Sequence, residues 1–399
     1  MSLRTKLLAS VFFTSFVLAA SAEETPKKEG VVSNNAAEES ALTQIAILLD
    51  TSGSMSGLID QARCQLWNAV SELATASREG KPIDLEIAVY QYGSRFIPQQ
   101  QGFLRQVIGF TDSLDEVSRA LFSLEVGGSK EFCSQAIKHA LDELEWSESS
   151  SAYRAVFIAG NESFDQGKVN FGEALPKALT KEILINSIYC LQSKEKVAPS
   201  QWISAAQLAK GLSFEINHNH HLPEMKTPYD AKMRELNKQM NETFVWYGEG
   251  GEKAAQNQKM QDANMAKMSD HAFAARMSAK IGHLYHHAHN DLVDALDHKM
   301  VTLDKMPAAK MPQNLRVMSA EERVAFLNKK LASRQQVRRM MADVISKRHA
   351  FVQKKMSEIP GANGQRMTVL GDALVRAVRK QAIARGFKFE ENRTVGVSK

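Results

Sequence analysis

Between residues 42 and 218, short unbroken apolar runs alternate with amphipathic stretches, and the first run ends in a loop of glycine and serine. Ile45 to Leu49 is followed by Asp50-Thr51-Ser52-Gly53-Ser54-Met55-Ser56-Gly57. Leu58, Ala62, Leu66, Ala69, Val70 and Leu73 then recur at helical spacing. Leu85 to Tyr92 reads as a second strand, 115–124 and 132–144 as helices, Ala155 to Ala159 as a third strand, and Ile183 to Tyr189 as a fourth. A helix over 200–210 and a last strand over 212–217 complete the series. Strands apolar on both faces and separated by helices predict an α/β fold with a doubly wound, mainly parallel, Rossmann-like sheet. Such sheets bind ligands at the carboxyl ends of their strands, where the strand order reverses. The 50–57 loop falls at such an end.

From about Thr227 the strand signals stop, and Ala, Lys, Gln, Met and Arg dominate. Ser319, with Glu322 at the capping-box position, opens a long helix. Its stripe of Val324, Leu327, Leu331, Val337, Met341, Ile345 and Val352 runs on to the stop signal of Pro360 and Gly361. A second helix is expected over 368–385. The expected organisation is therefore a leader sequence over 1–22, a flexible segment over 23–41, the α/β domain over 42–222 and an all-helical region over 223–399. Arg4 and Lys6, the apolar Leu7 to Ala20 and the Ala20-Ser21-Ala22 cleavage pattern give the leader the form of a signal peptide cut after Ala22. That implies an exported chain, periplasmic or secreted, with no transmembrane helix in its mature form. Residues 300–399 hold 21 Lys and Arg against 8 Asp and Glu, whereas the rest of the chain is acidic. Export argues against nucleic acid as the partner of the basic part, which reads as a solvated helical face.

The 50–57 loop offers one carboxylate and the hydroxyls of Ser52 and Ser54 at alternate positions, with Gly53 and Gly57 permitting a tight turn. Oxygen ligands of this kind suit a hard divalent cation, Mg²⁺ or else Mn²⁺ or Ca²⁺. The bland alternative has Asp50 capping the following helix. Asp-x-Ser-x-Ser after a buried strand resembles the metal-ion-dependent adhesion site of von Willebrand factor A (VWA) domains, a likeness covering about residues 42–218. The resemblance implies that a Thr from a second loop and an Asp from a third complete the metal site. Here the second loop reads Gly127-Gly128-Ser129-Lys130-Glu131, which makes Ser129 the first candidate and Glu131 the second. The third reads Gly160-Asn161-Glu162 in place of Thr-Asp-Gly, so the Asp position falls on Gly160, with Asn161 and Glu162 as substitutes. The loops DTSGSMSGLIDQA, Gly-Gly-Ser with Cys133, and Ala-Gly-Asn-Glu with Phe164 also resemble a narrower set of exported bacterial proteins with a helical C-terminal region.

Three cysteines, an odd number, leave at least one thiol unpaired within the chain. Cys133 and Cys190 are both expected at the carboxyl edge of the sheet, where a disulfide between them is the natural pairing, and Cys64 reads as a buried free thiol. His283 and His287 are four apart on an expected helix, but no glutamate or cysteine completes a zinc pattern; His218, His220 and His221 form a second cluster. Asp291, Asp294 and Asp297 read as solvated charges or as ion-pair partners of the basic C-terminal part. The functional expectation is a binding protein, not an enzyme. It would engage a carboxylate on a protein partner through the metal, with the helical region free to oligomerise. The alternatives are a structural envelope protein with a vestigial metal site and, third, hydrolytic chemistry at Asp50 with Glu162 as base.

Overall fold

The computed structural model describes residues 41–164, 166–191, 199–219, 224–358 and 369–390. The leader over 1–22 and the segment over 23–40 lie outside them, as do His220 and His221. Strand β1 (Ala41–Asp50) is buried almost throughout and runs into helix α1 (Ser56–Leu73). The three-residue β2 (Ala76–Arg78) turns back into β3 (Lys81–Tyr92), and β4 (Leu104–Thr111) follows. Helices α2 (Leu114–Phe122) and α3 (Cys133–Glu143) lead to β5 (Tyr153–Gly160). Then α4 (Phe171–Thr180), β6 (Leu184–Cys190), α5 (Ser200–Leu208) and β7 (Ser213–Ile216) complete the α/β part.

The sheet order is β7-β6-β5-β1-β3-β2, with β4 also on β3. Strands β1, β3, β5, β6 and β7 are parallel neighbours; β2 and β4 join the outer side of β3 antiparallel. The chain moves from β1 to β3 on one side, then crosses back to β5 on the other. The strand order therefore reverses at β1, and Asp50 is its last residue. This is the mainly parallel, doubly wound sheet expected from the apolar runs.

Two cores cover the two faces. Ala46, Leu48, Tyr90, Tyr92, Val156 and Ile158 face α3, α4 and α5. Ile45, Ile47, Leu49, Ile87 and Phe157 face α1 and α2. The helical region lies on the second face. It comprises α6 (Asp230–Asn241), α7 (Gly251–Met268), α8 (Asp270–Lys280), α9 (Leu292–Asp297), α10 (Gln313–Arg316), α11 (Ala320–Ser357) and α12 (Leu370–Ile383). Met233, Met277, Met341 and Leu374 belong to the same continuous core as α1. After α12, an eighth strand, β8 (Phe387–Phe389), pairs antiparallel with β2. Three residues are too few to show a period, so no strand is legible there in the sequence. The described residues, from 41 to 390, form one compact unit. Among the described residues, no helix is long and apolar enough to cross a membrane.

Helix α11 begins as its sequence requires: Ser319 Oγ accepts the Glu322 N–H and the Glu322 carboxylate accepts the Ser319 N–H. The segment holding His283 and His287 is not a helix. Helix α8 ends at Lys280, and 281–291 is a chain of turns. His283 reaches the Ile83 carbonyl, while His287 is buried against Phe244, Trp246 and Tyr285, so the two do not present a common face. Asp291 and Asp294 are buried rather than solvated, and both pair with Arg334 of α11. Of the readings for these aspartates, the ion pair with the basic C-terminal part is the one observed; Asp297 alone is exposed.

Candidate metal centre

The loop after β1 is held by main-chain bonds from two neighbours. Thr51 N–H donates to the Tyr92 carbonyl at 2.9 Å, Gly127 N–H to the Thr51 carbonyl at 2.8 Å, and Gly53 N–H to the Gly128 carbonyl at 3.2 Å. This brings the ends of β1 and β3 and the 127–131 loop to one place. Asp50 is fully buried there. Its Oδ1 accepts the Ser52 N–H at 2.7 Å, whereas Oδ2 has no hydrogen-bond partner. Asp50 does not cap α1, whose first flanking residue is Met55 with no side-chain cap. Ser52 and Ser54 place their hydroxyl oxygens 3.4 Å apart.

Glu131 is buried, and its carboxylate shares the Ser52 side chain with Asp50. It also lies over Gly93: a β-carbon at that position would meet Asp50 Oδ1 at 2.8 Å and Glu131 Cγ at 3.1 Å. Gly93 has φ +79°, so backbone conformation and space both call for glycine. Ser129 is exposed, and it is the backbone of its neighbours Gly127 and Gly128 that touches the Asp50 loop. On the third loop, Asn161 is buried and its Nδ2 approaches Ser54 Oγ at 3.5 Å, while its Oδ1 has no partner. Glu162 is half-buried and accepts from Gln166 Nε2 at 3.1 Å; Gln166 Oε1 in turn accepts the Glu131 N–H at 3.3 Å.

Gly160, where an Asp was looked for, has no room for a side chain. A β-carbon would press into Tyr92 Oη and come within 3.1 Å of Asp50 Oδ2. Tyr92 spends its hydroxyl on the Ala159 carbonyl at 2.9 Å. Neither Tyr92 nor Gly93 was singled out from the sequence. The only signal was their position at the end of the strand beside β1.

Electrostatically the site is short of positive charge. Burial, then the Glu131 and Glu162 carboxylates, push the Asp50 carboxyl up to about 7, against the lowering effect of the Ser52 N–H. Burial and Glu162 likewise raise Glu131. The Asp50 carboxylate, the Ser52 and Ser54 hydroxyls and the Asn161 amide oxygen, with Glu131 nearby, are oxygen donors of the kind a hard divalent cation takes. Asp50, Ser52 and Ser54 would hold it, with Glu131 and Asn161 Oδ1 beside them. Among the described residues, no group of three or more His, Cys, Asp or Glu side chains is arranged as a metal cluster. A cation here would depend on hydroxyl, amide and water oxygens as much as on carboxylates.

The expected Cys133–Cys190 disulfide is absent. All three cysteines are free thiols. Cys133 belongs to the core on the α3 face and Cys190 to the core on the α1 face, so the sheet separates them. Cys133 Sγ lies instead 3.7 Å from Tyr92 Oη. Burial drives both thiols well above their ordinary range, with Asp50 adding to it.

No known family model matches the sequence, and no curated protein does. Solved structures do. Proximal thread matrix protein 1 of the mussel byssus aligns at 13% identity over 44% of this chain and 42% of its own, with TM-score 0.31. The VWA domain of SpRpn10 aligns at 14% identity over 44% and 88%, with TM-score 0.32. The pilus adhesin SpaC of Lactobacillus rhamnosus GG aligns at 10% identity over 44% and 28%, with TM-score 0.32. The aligned part spans under half the length of the mussel protein. Of these three, the SpRpn10 structure is described as a VWA domain.

Proposed function

We propose that the chain is an exported binding protein that engages a carboxylate of a protein partner through a divalent cation, Mg²⁺ or a similar ion, at the Asp50 loop. The observation that carries this reading is Asp50 Oδ2, a buried carboxylate oxygen without a hydrogen-bond partner; Asn161, whose Nδ2 lies 3.5 Å from Ser54 Oγ, holds a second such oxygen. An unpaired buried polar atom costs stability unless something satisfies it. A cation would pair with both and offset the repulsion among Asp50, Glu131 and Glu162. Ser54 and Gly53 are exposed, so a partner oxygen can reach the same place.

The test is thermal melting against added Mg²⁺ or Mn²⁺. One hundredfold excess over Kd adds about 2.7 kcal/mol, a rise of a few degrees in Tm, and Asp50→Ala should abolish it. A melting temperature indifferent to both ions in the wild type would instead favour a structural envelope protein with a vestigial site. Export rests on the Arg4, Lys6, Leu7 to Ala20 and Ala20-Ser21-Ala22 pattern. N-terminal sequencing of the cell-fractionated protein should begin at Glu23; recovery of an intact Met1 in the cytosol would overturn it.

A further inference from the structure

The molecule has a cleft of about 620 Å³ in the helical region, lined by the 247–249 turn, the 289–290 turn and the 300–310 segment. It lies within the size range of small-molecule sites. Its walls are fixed by main-chain bonds between the segments. Tyr247 N–H donates to the Asn290 carbonyl at 2.8 Å, Gly248 N–H to the Lys310 carbonyl at 3.0 Å, and Tyr247 Oη to the Ala288 carbonyl at 3.0 Å. Its lining is mixed, with an apolar part made by Tyr247, Val301 and Met306 beside polar and charged groups. Val301 and Met306 pack on the separate small core of Val245, Leu292, Leu315 and Leu327, and Tyr247 joins them. Met300, on the lip, leaves 49% of its surface in water.

The rim charge has a sign. Lys305 and Lys310 both line the cleft and are exposed, against the single carboxylate of Glu249. His289, also on the lining, lies 3.7 Å from Asp112. None of these groups takes part in the Asp50 site, and Asn290 and Thr302 add polar hydrogen-bonding groups to the wall. We propose that this cleft binds a small amphiphilic anion, its apolar body on Met306, Val301 and Tyr247 and its anionic head between Lys305 and Lys310. An apolar patch next to two ammonium groups rewards that combination. A neutral apolar molecule leaves the two ammonium groups unused, and a bare inorganic anion leaves the Val301, Met306 and Tyr247 patch wet.

Calorimetric titration of the full-length protein with laurate, dodecyl phosphate and dodecanol separates the terms. Laurate or dodecyl phosphate should bind with one-site stoichiometry, and whichever binds more tightly identifies the head group. Dodecanol, with the same chain and no charge, should bind at least tenfold more weakly. Lys305→Glu/Lys310→Glu should weaken the anion at least tenfold while the circular dichroism and the melting temperature stay at wild-type values, because both side chains are exposed. Thr302→Trp, which fills the cleft without touching the rim charge, should also abolish binding. The proposal is overturned if neither anion binds the wild type, if dodecanol matches the better anion, or if either variant retains wild-type affinity.

Discussion

At the scale of single residues, the candidate metal centre is organised by what β3 places beside Asp50. Tyr92 fills the space above Gly160 and Gly93 leaves space for Glu131, so one strand end excludes a side chain from the third loop and admits one from the second. Adding a methyl group at Gly160 must move Tyr92 or the Asp50 loop, and overpacking of this kind costs about 1–3 kcal/mol. Gly160→Ala should therefore lower the unfolding free energy measured in urea by that amount. The loss should be smaller in a Tyr92→Phe background, which removes the oxygen that the new β-carbon meets; an equal loss in both backgrounds would show that Asp50, not Tyr92, sets the limit. Asp50, Ser52 and Ser54 could be picked out from the sequence because they lie within five residues on one turn. The placement of Glu131 over Gly93 could not, since it depends on three loops far apart in the chain meeting at one point. The disulfide failed for a related reason: the sequence places both cysteines at the sheet edge but does not say on which face.

At the scale of elements, a buried ionic cluster joins α2 of the α/β part to α7 and α8. Arg276 lies fully buried with Nη1 2.6 Å from Asp115 and Nε 2.6 Å from Asp262, and its guanidinium sits 4.5 Å over the Trp67 ring of α1. Tyr285 donates to Asp115 at 2.8 Å. Burial alone would raise the Asp115 carboxyl, but Arg276 and His287 outweigh it and hold it far below the ordinary range. Lys280, pulled down by burial and back up by Asp262, stands at about 8. Replacing Arg276 with Ala would leave buried Asp115 without its cation, while Asp262 keeps Lys280, a loss of about 3–5 kcal/mol. Equilibrium urea unfolding should show that loss, and a change below 1 kcal/mol would mean that water enters and solvates the cluster. The elements legible in the sequence were the long ones with a clear period: β1, α1, β5, β6 and α11. Those missed were β2 and β8, of three residues each, and β4, whose pairing with β3 shifts register twice. Helix α4 was also missed, its pattern interrupted by Pro176. The histidines of the 281–291 turns fall at helical spacing, which points to a helix that the structure does not form there. Packing against Phe244, Trp246 and the Ile83 carbonyl, which no local pattern reports, fixes them instead.

At the scale of the whole molecule, the change in composition near Thr227 marks a change of secondary structure, while the core runs on across it. Helix α1 carries the Asp50 loop at its start and is covered on its outer side by α8 and α12, so its apolar surface is shared between the sheet and the helical region. Tyr153 on β5 donates to Gln381 on α12 at 2.7 Å, and Gln381 exchanges hydrogen bonds with Asn186 on β6. The outer strand β2 would present an open edge without β8, and open edges template aggregation. A fragment ending at residue 222 keeps every strand of the parallel sheet and the whole Asp50 loop, yet it uncovers Ala62, Leu66, Trp67 and Val70 on α1 together with that edge. Burial is worth about 25 cal/mol per Å² of apolar surface, so uncovering one face of an 18-residue helix removes more than the usual margin of a marginally stable domain. The fragment should be recovered insoluble, or melt far below the full chain, and the full chain should unfold in urea with coincident fluorescence and circular dichroism transitions. A soluble 1–222 fragment with the Tm of the full chain would show that the two parts are energetically independent. In that case the Arg276 cluster would contribute to the attachment of the helices and not to the stability of the metal-site fold.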